Sequence, residues 1–317
     1  MPRARDFMAE PDKWSRWLAE TRFGGDQKAA EIQLRGLTML RKRLLKKAGL
    51  AEGKVVLDVG AGEGLIGFGA LDLVGATGRV IFSDISERLV EFTRTAAEQM
   101  GVLDRCSFVT AGAEDLSAIE SELVDLVTTR SVLIYVDDKP RAFREFFRVL
   151  KPGGRTALFE PIDDRRMTEY SEYWRRRFWA DPDSAEGAVV KDLLERLDEH
   201  WEKRYEHVND AMLNFNERDL LMMSVAAGFA GVHVELDLGA GPMPPMNWDT
   251  MMKSSGNPLI PTNGEVIREI FTPEEQARFE QHLRPIVERG GNLWRAHGSF
   301  TWAFKAPIPK KPWPEDE

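Results

Sequence analysis

The residues best suited to chemistry are a group of glycines and two acids in the first third of the chain. Gly60, Gly62 and Gly64 alternate directly after Asp58, and Asp84 follows further along. Glycine lets the backbone turn sharply, so that its N–H groups come close to a ligand. A carboxylate can accept hydrogen bonds from two neighbouring hydroxyls, or it can pair with a cation. These residues together indicate a binding site for a polar ligand that lies against the main chain.

Short apolar runs place these residues at the ends of buried strands. The run Val55–Val59 leads into the glycines, and Arg79–Ser83 leads into Asp84. Helical spacing follows in both places, first over Leu65–Leu73 and then from Ser86 onward. A strand, a glycine loop, a helix, a second strand and an acid form one unit, whose loops meet at one edge of a parallel sheet. Asp84 is equally well placed to cap the helix that follows it.

The spacing of the glycines separates two classes of ligand. Dinucleotide-binding loops carry the third glycine three positions after the second, whereas Gly64 follows Gly62 by two. Asp58 would repel a pyrophosphate, but it would attract a ligand that carries an ammonium and a sulfonium. A nicotinamide-dependent oxidoreductase is therefore less favoured, and a glycine-rich turn without any ligand is the remaining alternative at this point.

Composition and charge exclude several classes of function. Among 317 residues 43% are hydrophobic and 30% are charged, and the net charge of −9 opposes the binding of nucleic acid. No apolar run approaches the roughly 20 residues of a membrane span, and the N-terminus lacks the apolar segment of a signal peptide. A single cysteine and five scattered histidines predict no disulfide and no metal. We expect a cytoplasmic protein that is a monomer or a homodimer.

The alternation of strands and helices predicts the fold class. After the first two strands, further strand patterns cover 107–110, 124–128, 156–159, 232–236 and 299–304. The first three of these alternate with helices, as in a doubly wound sheet with right-handed crossovers. We predict an α/β protein with a mostly parallel, seven-stranded, Rossmann-like sheet and helical lid insertions.

The order of the motifs between Lys54 and Pro161 resembles a known family. The D-x-G-x-G-x-G loop at 58–64, a Ser-Val-Leu turn, a helix led by Pro140 and Leu-Lys-Pro-Gly-Gly at 150–154 are similar to class I S-adenosylmethionine-dependent methyltransferases, in particular the ubiquinone-pathway enzymes. The resemblance implies S-adenosylmethionine as cofactor and an antiparallel last strand. It also implies methyl transfer by in-line displacement to oxygen, nitrogen or carbon of a small, partly apolar acceptor.

The resemblance divides the chain into a core, the lid segments and insertions that cover it, and a tail. The predicted parts are an N-terminal helical lid segment (1–50), a cofactor-binding core (51–160), a helical lid insertion (161–215), more of the core (216–238), a second insertion (239–298), the last core strand (299–306) and a flexible tail (307–317).

By position, the resemblance also assigns residues to the cofactor. It places Asp58 near the ammonium, the glycines against the methionine part and Asp84 at the ribose. The full set is Asp58, Gly60, Ala61, Gly62, Asp84, Ile85, Ala113, Glu114, Arg130 and Ser131, with the pair 113–114 at the adenine and 130–131 at the methionine end.

Two positions depart from the family pattern. Gly112 stands where family members often carry an aspartate that meets the adenine. Arg130 is unusual beside a cationic cofactor, and it is expected to pair with Asp137, with Glu160 or with an acidic group of the substrate.

The residues that would act on the acceptor are less clearly marked. A hydroxyl or ammonium acceptor must lose a proton, and the best-placed groups for this are Tyr135, Glu160 and His207. Tyr170 and Trp174, at helical spacing, are predicted to line the substrate site together with Tyr135. The rival interpretations are a nucleic-acid or protein methyltransferase, the oxidoreductase mentioned above, and a non-catalytic cofactor-binding protein.

Overall fold

One seven-stranded sheet organises the part of the chain that the structure describes. The computed structural model describes residues 12–162, 179–207, 210–212, 214–291 and 293–307. The strands are β1 (Val55–Val59), β2 (Arg79–Asp84), β3 (Cys106–Thr110), β4 (Val124–Arg130), β5 (Leu150–Pro161), β6 (Ala230–Pro242) and β7 (Leu293–Phe304).

The strand order is β3-β2-β1-β4-β5-β7-β6. The strands β1 to β5 run parallel to one another, and β7 is antiparallel to both β5 and β6. The predicted fold class and the predicted antiparallel last strand are both confirmed. Because parallel strands end at the same edge, the loops after β1, β2, β3, β4 and β5 all emerge together.

Helices cover both faces of the sheet and form the insertions. The helices are α1 (Lys13–Arg16), a π-helical turn (Trp17–Thr21), α2 (Gln27–Lys46), α3 (Leu65–Leu73), α4 (Glu87–Gln99), α5 (Lys139–Val149), α6 (Ala185–Ala188), α7 (Lys191–His207), α8 (Glu217–Ala226), α9 (Trp248–Lys253), α10 (Asn263–Ile270) and α11 (Pro273–Arg289).

Helix α11 begins with a capping box that its sequence encodes locally. Thr272 caps it, Pro273 occupies the first turn, and Glu275 completes a capping box with the backbone of Thr272. Two apolar residues that continue the helical spacing of their segments are exposed. Met100 lies past the last helical residue of α4 and is 47% exposed. Leu34 in α2 is 53% exposed, because only the second half of that helix reaches the sheet.

The last two strands are longer than the sequence predicts. The predicted strands covered 232–236 and 299–304, whereas β6 and β7 pair as far as Gly241 with Trp294 and Pro242 with Leu293. Glycines and prolines in this stretch resemble a turn in sequence, but antiparallel pairing satisfies the backbone without help from side chains. The second insertion therefore begins after 242 and ends before 293, rather than at 239 and 298.

The two insertions share a hydrophobic core of their own. Trp179 of the first insertion packs against Phe279 of α11 with ring centroids 4.9 Å apart, and against Trp248 of α9 at 6.3 Å. Leu193 and Leu197 of α7 are buried in the same cluster. Segments far apart in the sequence thus form one helical body beside the sheet, and these large aromatic side chains serve packing.

Within the described ranges, no helix is both long and apolar enough to cross a bilayer. The same ranges contain no group of three or more His, Cys, Asp or Glu side chains arranged to hold a metal ion.

Candidate active site

The glycine loop after β1 depends on positive backbone angles. Gly60, Gly62 and Gly64 have φ of 65°, 55° and 79°, which side chains rarely adopt. A Cβ at Gly60 would lie 2.3 Å from Val132 Cγ2, so glycine is needed there for close packing against the loop after β4. A Cβ at Gly62 would be in ordinary van der Waals contact with Leu18, at 3.6 Å, so glycine is needed here for its backbone angle and not for lack of space.

Asp84 is held in place at the end of β2. Its Oδ2 accepts a hydrogen bond of 2.9 Å from the Gly62 N–H, and its Oδ1 accepts one of 3.0 Å from the Ser86 N–H. Burial raises the pKa of this carboxyl, while the two N–H donors oppose the rise. Each oxygen keeps acceptor capacity beyond these bonds, so the residue fits the predicted contact with a ribose diol.

The surface next to Asp84 offers an accessible apolar side chain that the ring of a ligand can pack against. Ile85 is 56% exposed although it directly follows a buried strand. A Cβ at Gly112 would lie 3.0 Å from Ile85 Cγ2, so glycine at this position leaves the isoleucine side chain accessible. This surface is where the resemblance places the nucleoside.

Asp58 is fixed against the start of α3. It is 2% exposed, and its Oδ2 accepts a 2.8 Å hydrogen bond from the Gly67 N–H. Burial, together with the nearby negative charge of Asp84, raises the pKa of Asp58 to about 7. A cationic ligand group beside Asp58 would lower that pKa again. Its contact with the cofactor ammonium stays a prediction.

Ala113 and Glu114, predicted at the adenine, and Ala61 of the predicted cofactor set are each held by the protein itself. Ala113 is buried, and Ala61 donates its N–H to the Ser83 carbonyl at 2.9 Å. Glu114 Oε1 accepts a 2.6 Å hydrogen bond from the Asp138 N–H, which joins the loop after β3 to the start of α5. Glu114 therefore stabilises that junction, and its contact with the adenine stays a prediction.

Glu160 organises the loop after β4. Its carboxylate accepts hydrogen bonds from Thr129 Oγ1 at 2.9 Å, from the Val132 N–H at 3.0 Å and from the Ile134 N–H at 3.3 Å. Ser131, within this loop, has a φ of 57°, which is costly for a residue with a side chain. Burial raises the pKa of Glu160 to about 7. Its hydrogen bonds favour a positioning role over the predicted role as a base.

Tyr135 follows the same loop and faces Trp14. The two rings meet edge to face with centroids 4.8 Å apart. Burial raises the pKa of Tyr135 further above its usual value, so the phenol stays protonated and can donate a hydrogen bond. His207 is the last residue of α7 and its side chain lies outside the described residues, as do Tyr170 and Trp174. Their roles stay predictions.

Residues 12–26, which we name the strap, lie across the glycine loop. Leu18 faces Gly62, and Asp12 accepts a hydrogen bond from Ser86 Oγ. The strap is also bound to the second insertion through three contacts: Trp17 Nε1 to the Ser255 carbonyl at 3.1 Å, the Ser255 N–H to the Thr21 carbonyl at 2.9 Å, and Thr250 Oγ1 to Asp26 Oδ2 at 2.8 Å. The sequence predicted a lid over 1–50 but not these contacts.

Three charged side chains, one of them in the strap, influence one another electrostatically. Arg22, Glu63 and Arg130 are close enough to shift one another's pKa. Burial, together with the positive charge of Arg130, lowers the pKa of Arg22 to about 10. Neither Asp137 nor Glu160 forms the predicted ion pair with Arg130. The sequence did not single out Arg22 or Glu63, although Arg22 precedes a glycine pair that marks a turn.

Lys139 is a second residue that sequence reasoning missed. It is 3% exposed, and its Nζ donates to the Ala211 carbonyl at 2.6 Å, the Val136 carbonyl at 3.0 Å and Asn214 Oδ1 at 3.1 Å. Burial lowers the pKa of Lys139 to about 8. Lys139 joins the end of the first insertion to the loop after β4. Its position beside the surface residue Pro140 gives no indication in the sequence that its side chain is buried.

A cavity of about 410 Å³ lies apart from the glycine loop. It is bounded by strap residues Glu20, Thr21 and Gly24 and by α9 and α10. It contains none of the residues predicted to bind the cofactor, so we do not assign the cofactor to it.

Comparison with known proteins identifies the family. A family model described as a methyltransferase domain matches residues 50–211, which is about half of the chain. The chain belongs to the class I S-adenosylmethionine-dependent methyltransferases. The resemblance to that family and the predicted cofactor are thereby confirmed. The positive-φ loop, the oriented Asp84 and the accessible Ile85 of this methyltransferase fit that cofactor.

Curated relatives include ubiquinone/menaquinone biosynthesis C-methyltransferases. UbiE of Escherichia coli O1:K1 is 34% identical to this methyltransferase over 142 residues, which are 44% of this chain and 56% of the relative. UbiE of Shigella boydii matches to the same extent. The chain thus spans about half the length of the curated relatives it matches.

Solved structures share the fold at low sequence identity. YcgJ of Bacillus subtilis has a TM-score of 0.53 at 16% identity, with 86% of this chain and 99% of that chain covered. A Bacillus halodurans protein, solved under a provisional methyltransferase assignment, has a TM-score of 0.51 at 18% identity, with 84% and 99% covered.

Proposed function

We propose that this methyltransferase transfers the methyl group of S-adenosylmethionine to a small, partly apolar organic acceptor. The observation that carries the proposal is the position of the strap. Leu18 and Trp14 lie over the glycine loop and Tyr135, and Trp17 joins this cover to the second insertion. A covered space of this kind suits a small molecule better than a polymer.

The residues of the chain would bind, orient and exclude water. Asp84 would accept hydrogen bonds from the ribose, and Asp58 would face the ammonium. When bound, S-adenosylmethionine supplies a methyl carbon that the sulfonium makes electrophilic. The protein then has to hold the acceptor in line with that carbon, and orientation of this kind can contribute on the order of 7–11 kcal/mol. Trp14, Leu18 and Trp17 would keep water away.

None of the described residues is clearly suited to act as the base that removes a proton from the acceptor. The phenol of Tyr135 is protonated at neutral pH, and the carboxylate of Glu160 accepts hydrogen bonds from the loop after β4. An electron-rich carbon can attack the methyl carbon first and lose its proton to water afterwards, so it needs no base before methyl transfer. The curated relatives are named C-methyltransferases, so we favour carbon over oxygen or nitrogen.

Two features support a small acceptor over a nucleic acid or a protein. The net charge of −9 gives no field that would attract a phosphate backbone. The strap also covers the glycine loop through Leu18 and is bound to the second insertion through Trp17. We further propose a cytoplasmic location and a monomeric or homodimeric state.

A transfer assay tests the proposal. The full chain is incubated with S-adenosylmethionine that carries a tritiated methyl group and with pools of small quinols, phenols, amines and carboxylic acids. We expect label in an organic product from at least one pool, together with an equal amount of S-adenosylhomocysteine. Label found only in protein or RNA would contradict the proposal, and so would tight cofactor binding without transfer to any pool.

A further inference from the structure

The outer edge of the sheet at β6 is available for pairing with another strand. Strand β6 comes last in the sheet order, and within the described ranges no strand pairs with its outer edge. Natural proteins usually protect such an edge with lysine, proline or a very short strand. Between Val234 and Pro242, β6 pairs with β7 without interruption, and none of residues 234–241 is lysine or proline. The outward backbone groups of β6 therefore form a long hydrogen-bonding row.

One face of this edge is apolar. Leu236 and Leu238 alternate on the same face of β6 and are 43% and 65% exposed. The register across β7 places Leu158 of β5 on the same face as Val234 and Leu236. Helix α8 covers this face, because its Leu220 is buried in one core cluster with Leu158.

The outward side of α8 continues the apolar surface. A surface helix normally carries polar side chains on the side away from the core. In α8 that side carries Leu221, Met222 and Val225, which are all exposed, Met222 by 60%. We name these three residues, together with Leu236 and Leu238, the edge patch. It lies directly beside the hydrogen-bonding row of β6.

The opposite face of the edge is charged, but its charges cancel within the chain. The Arg43 guanidinium pairs with Glu235 at 3.1 Å and with Asp237 at 3.0 Å, and Glu235 also pairs with Lys47. Two acids and two bases leave no net charge on this group. A second copy of the same face therefore meets little repulsion.

Helix α2 carries this opposite face onward as an apolar strip. Met39, Gly36 and Ile32 precede Arg43 by four, seven and eleven residues, so the four residues lie in one row along the helix. Met39 is 73% exposed, and Ile32 is also exposed. Apolar side chains thus flank the edge of the sheet on both faces.

We propose that this edge is the interface of a homodimer, in which β6 pairs antiparallel with β6 of a second copy. A two-fold axis perpendicular to the sheet brings the same elements together on each face. On one face the two edge patches meet, and on the other the two α2 helices lie side by side. Such an axis requires a self-complementary surface, and the backbone row, the apolar side chains and the cancelled charges all meet this requirement.

A second copy fits this surface better than a single added strand does. A peptide strand would use the hydrogen-bonding row but would leave the exposed side chains of α8 and α2 in water, whereas a second copy covers them on both faces. The dimer does not depend on the proposed function, since three strands separate β6 from β1 and its glycine loop.

Sedimentation velocity of the full chain at micromolar concentration tests the interface. We expect the wild type to sediment with twice the mass of one chain. Leu238→Glu, which buries an unpaired carboxylate in the interface, should weaken the dimer at least tenfold. Leu103→Glu is the matched control, because Leu103 is an exposed leucine just before β3 at the other edge of the sheet, and this variant should stay dimeric. Met222→Glu on α8 provides a second variant, and circular dichroism checks that each one is folded.

Cysteine cross-linking tests the antiparallel pairing. In a Cys106→Ser background, cysteine replaces residues 235–239 one at a time, and disulfide formation between chains is measured. Around a two-fold axis only one residue of an antiparallel pair faces its own copy, at a Cα distance that a disulfide can span. The yield of cross-linked dimer should therefore peak at one position and decrease on both sides of it.

The proposal is overturned if the wild-type chain is monomeric at these concentrations. It is also overturned if Leu238→Glu and Met222→Glu both leave the dimer as tight as in the wild type, or if cysteines at 235–239 give no cross-link or equal yields. Methyl transfer is assayed separately on the same proteins. Its absence in a wild-type dimer would contradict the proposed function, and not the dimer.

Discussion

The Asp84 carboxylate accepts a hydrogen bond of 2.9 Å from the Gly62 N–H, which joins the end of β2 to the glycine loop after β1. Two loops that the sequence marks separately are therefore one structural unit. The same carboxylate accepts from Ser86 at the start of α4. Any ligand that binds Asp84 is thus placed relative to both the loop and the helix.

Asp84→Asn should weaken cofactor binding. The substitution keeps the size of the side chain but replaces a charged acceptor, and hydrogen bonds to charged groups contribute about 1.5–3 kcal/mol. We expect the dissociation constant for S-adenosylhomocysteine to rise by about tenfold in calorimetry. Asp72→Asn, on the exposed face of α3, should leave it unchanged. Unaltered affinity in Asp84→Asn would refute the ribose assignment.

A pair of glycine variants tests the strap. Gly24 and Gly25 both have positive φ, 56° and 74°, so alanine costs the backbone a similar amount at either. A Cβ at Gly24 would lie 2.2 Å from the Thr250 carbonyl oxygen, whereas one at Gly25 would meet nothing within 4 Å. We expect Gly24→Ala to raise the dissociation rate of S-adenosylhomocysteine about tenfold in stopped-flow measurements, and Gly25→Ala to leave it near the wild-type rate. Equal rates in both variants would show that the strap does not retain the cofactor.

Glu160→Gln tests the loop after β4 and its dependence on pH. Burial raises the pKa of Glu160 from 4.5 to about 7, so the folded state favours the protonated form. The stability that this group contributes is therefore fully present below about pH 4.5 and is lost as pH rises through 7. In urea unfolding between pH 5 and 7, the variant should show a smaller decrease of the unfolding free energy than the wild type.

The same substitution turns an amide donor toward the N–H groups of Val132 and Ile134, so the variant should also be less stable at pH 5, by about 1–3 kcal/mol. Glu120→Gln, on the surface, is the control. A pH dependence identical to that of the wild type would mean that another group is responsible.

Cofactor binding should release protons near neutral pH. Burial raises the pKa of Asp58 from 3.8 to about 7, and an ammonium beside it would favour the ionised form. Affinity for S-adenosylhomocysteine should therefore increase as pH rises from 5.5 to 7.5 and then level off. In Asp58→Asn the affinity should increase less with pH. The remaining increase is due to Glu63 and Asp84, whose pKa values are also raised. Calorimetry in buffers of different ionisation enthalpy measures the protons, and a flat profile in the wild type would contradict the placement of the ammonium.

The sequence predicted the sheet and the cofactor loop because their signals are local. Val55–Val59, the three glycines and Asp84 lie within thirty or so residues, and each element depends mainly on its neighbours. The capping box at Thr272 is local in the same way. Signals of this kind can be interpreted from one chain alone.

The parts that sequence reasoning missed depend on contacts between distant residues. Trp17 meets Ser255, which is 238 residues away, and Trp179 packs against Phe279 across both insertions. Nothing near Arg22 in the sequence indicates that the charge of Arg130 will lower its pKa. The full length of β6 was missed because Gly239 and Pro242 resemble a turn until β7 is placed beside them.

The most direct test of the whole account is a crystal structure of the full chain with S-adenosylhomocysteine. We predict that both ribose hydroxyls lie within hydrogen-bond distance of the Asp84 carboxylate, with the sulfur above Gly60 and Gly62 and beneath Leu18. A ligand bound in the cavity beside Glu20 and Lys253, or a glycine loop that stays empty at saturating ligand, would contradict the account.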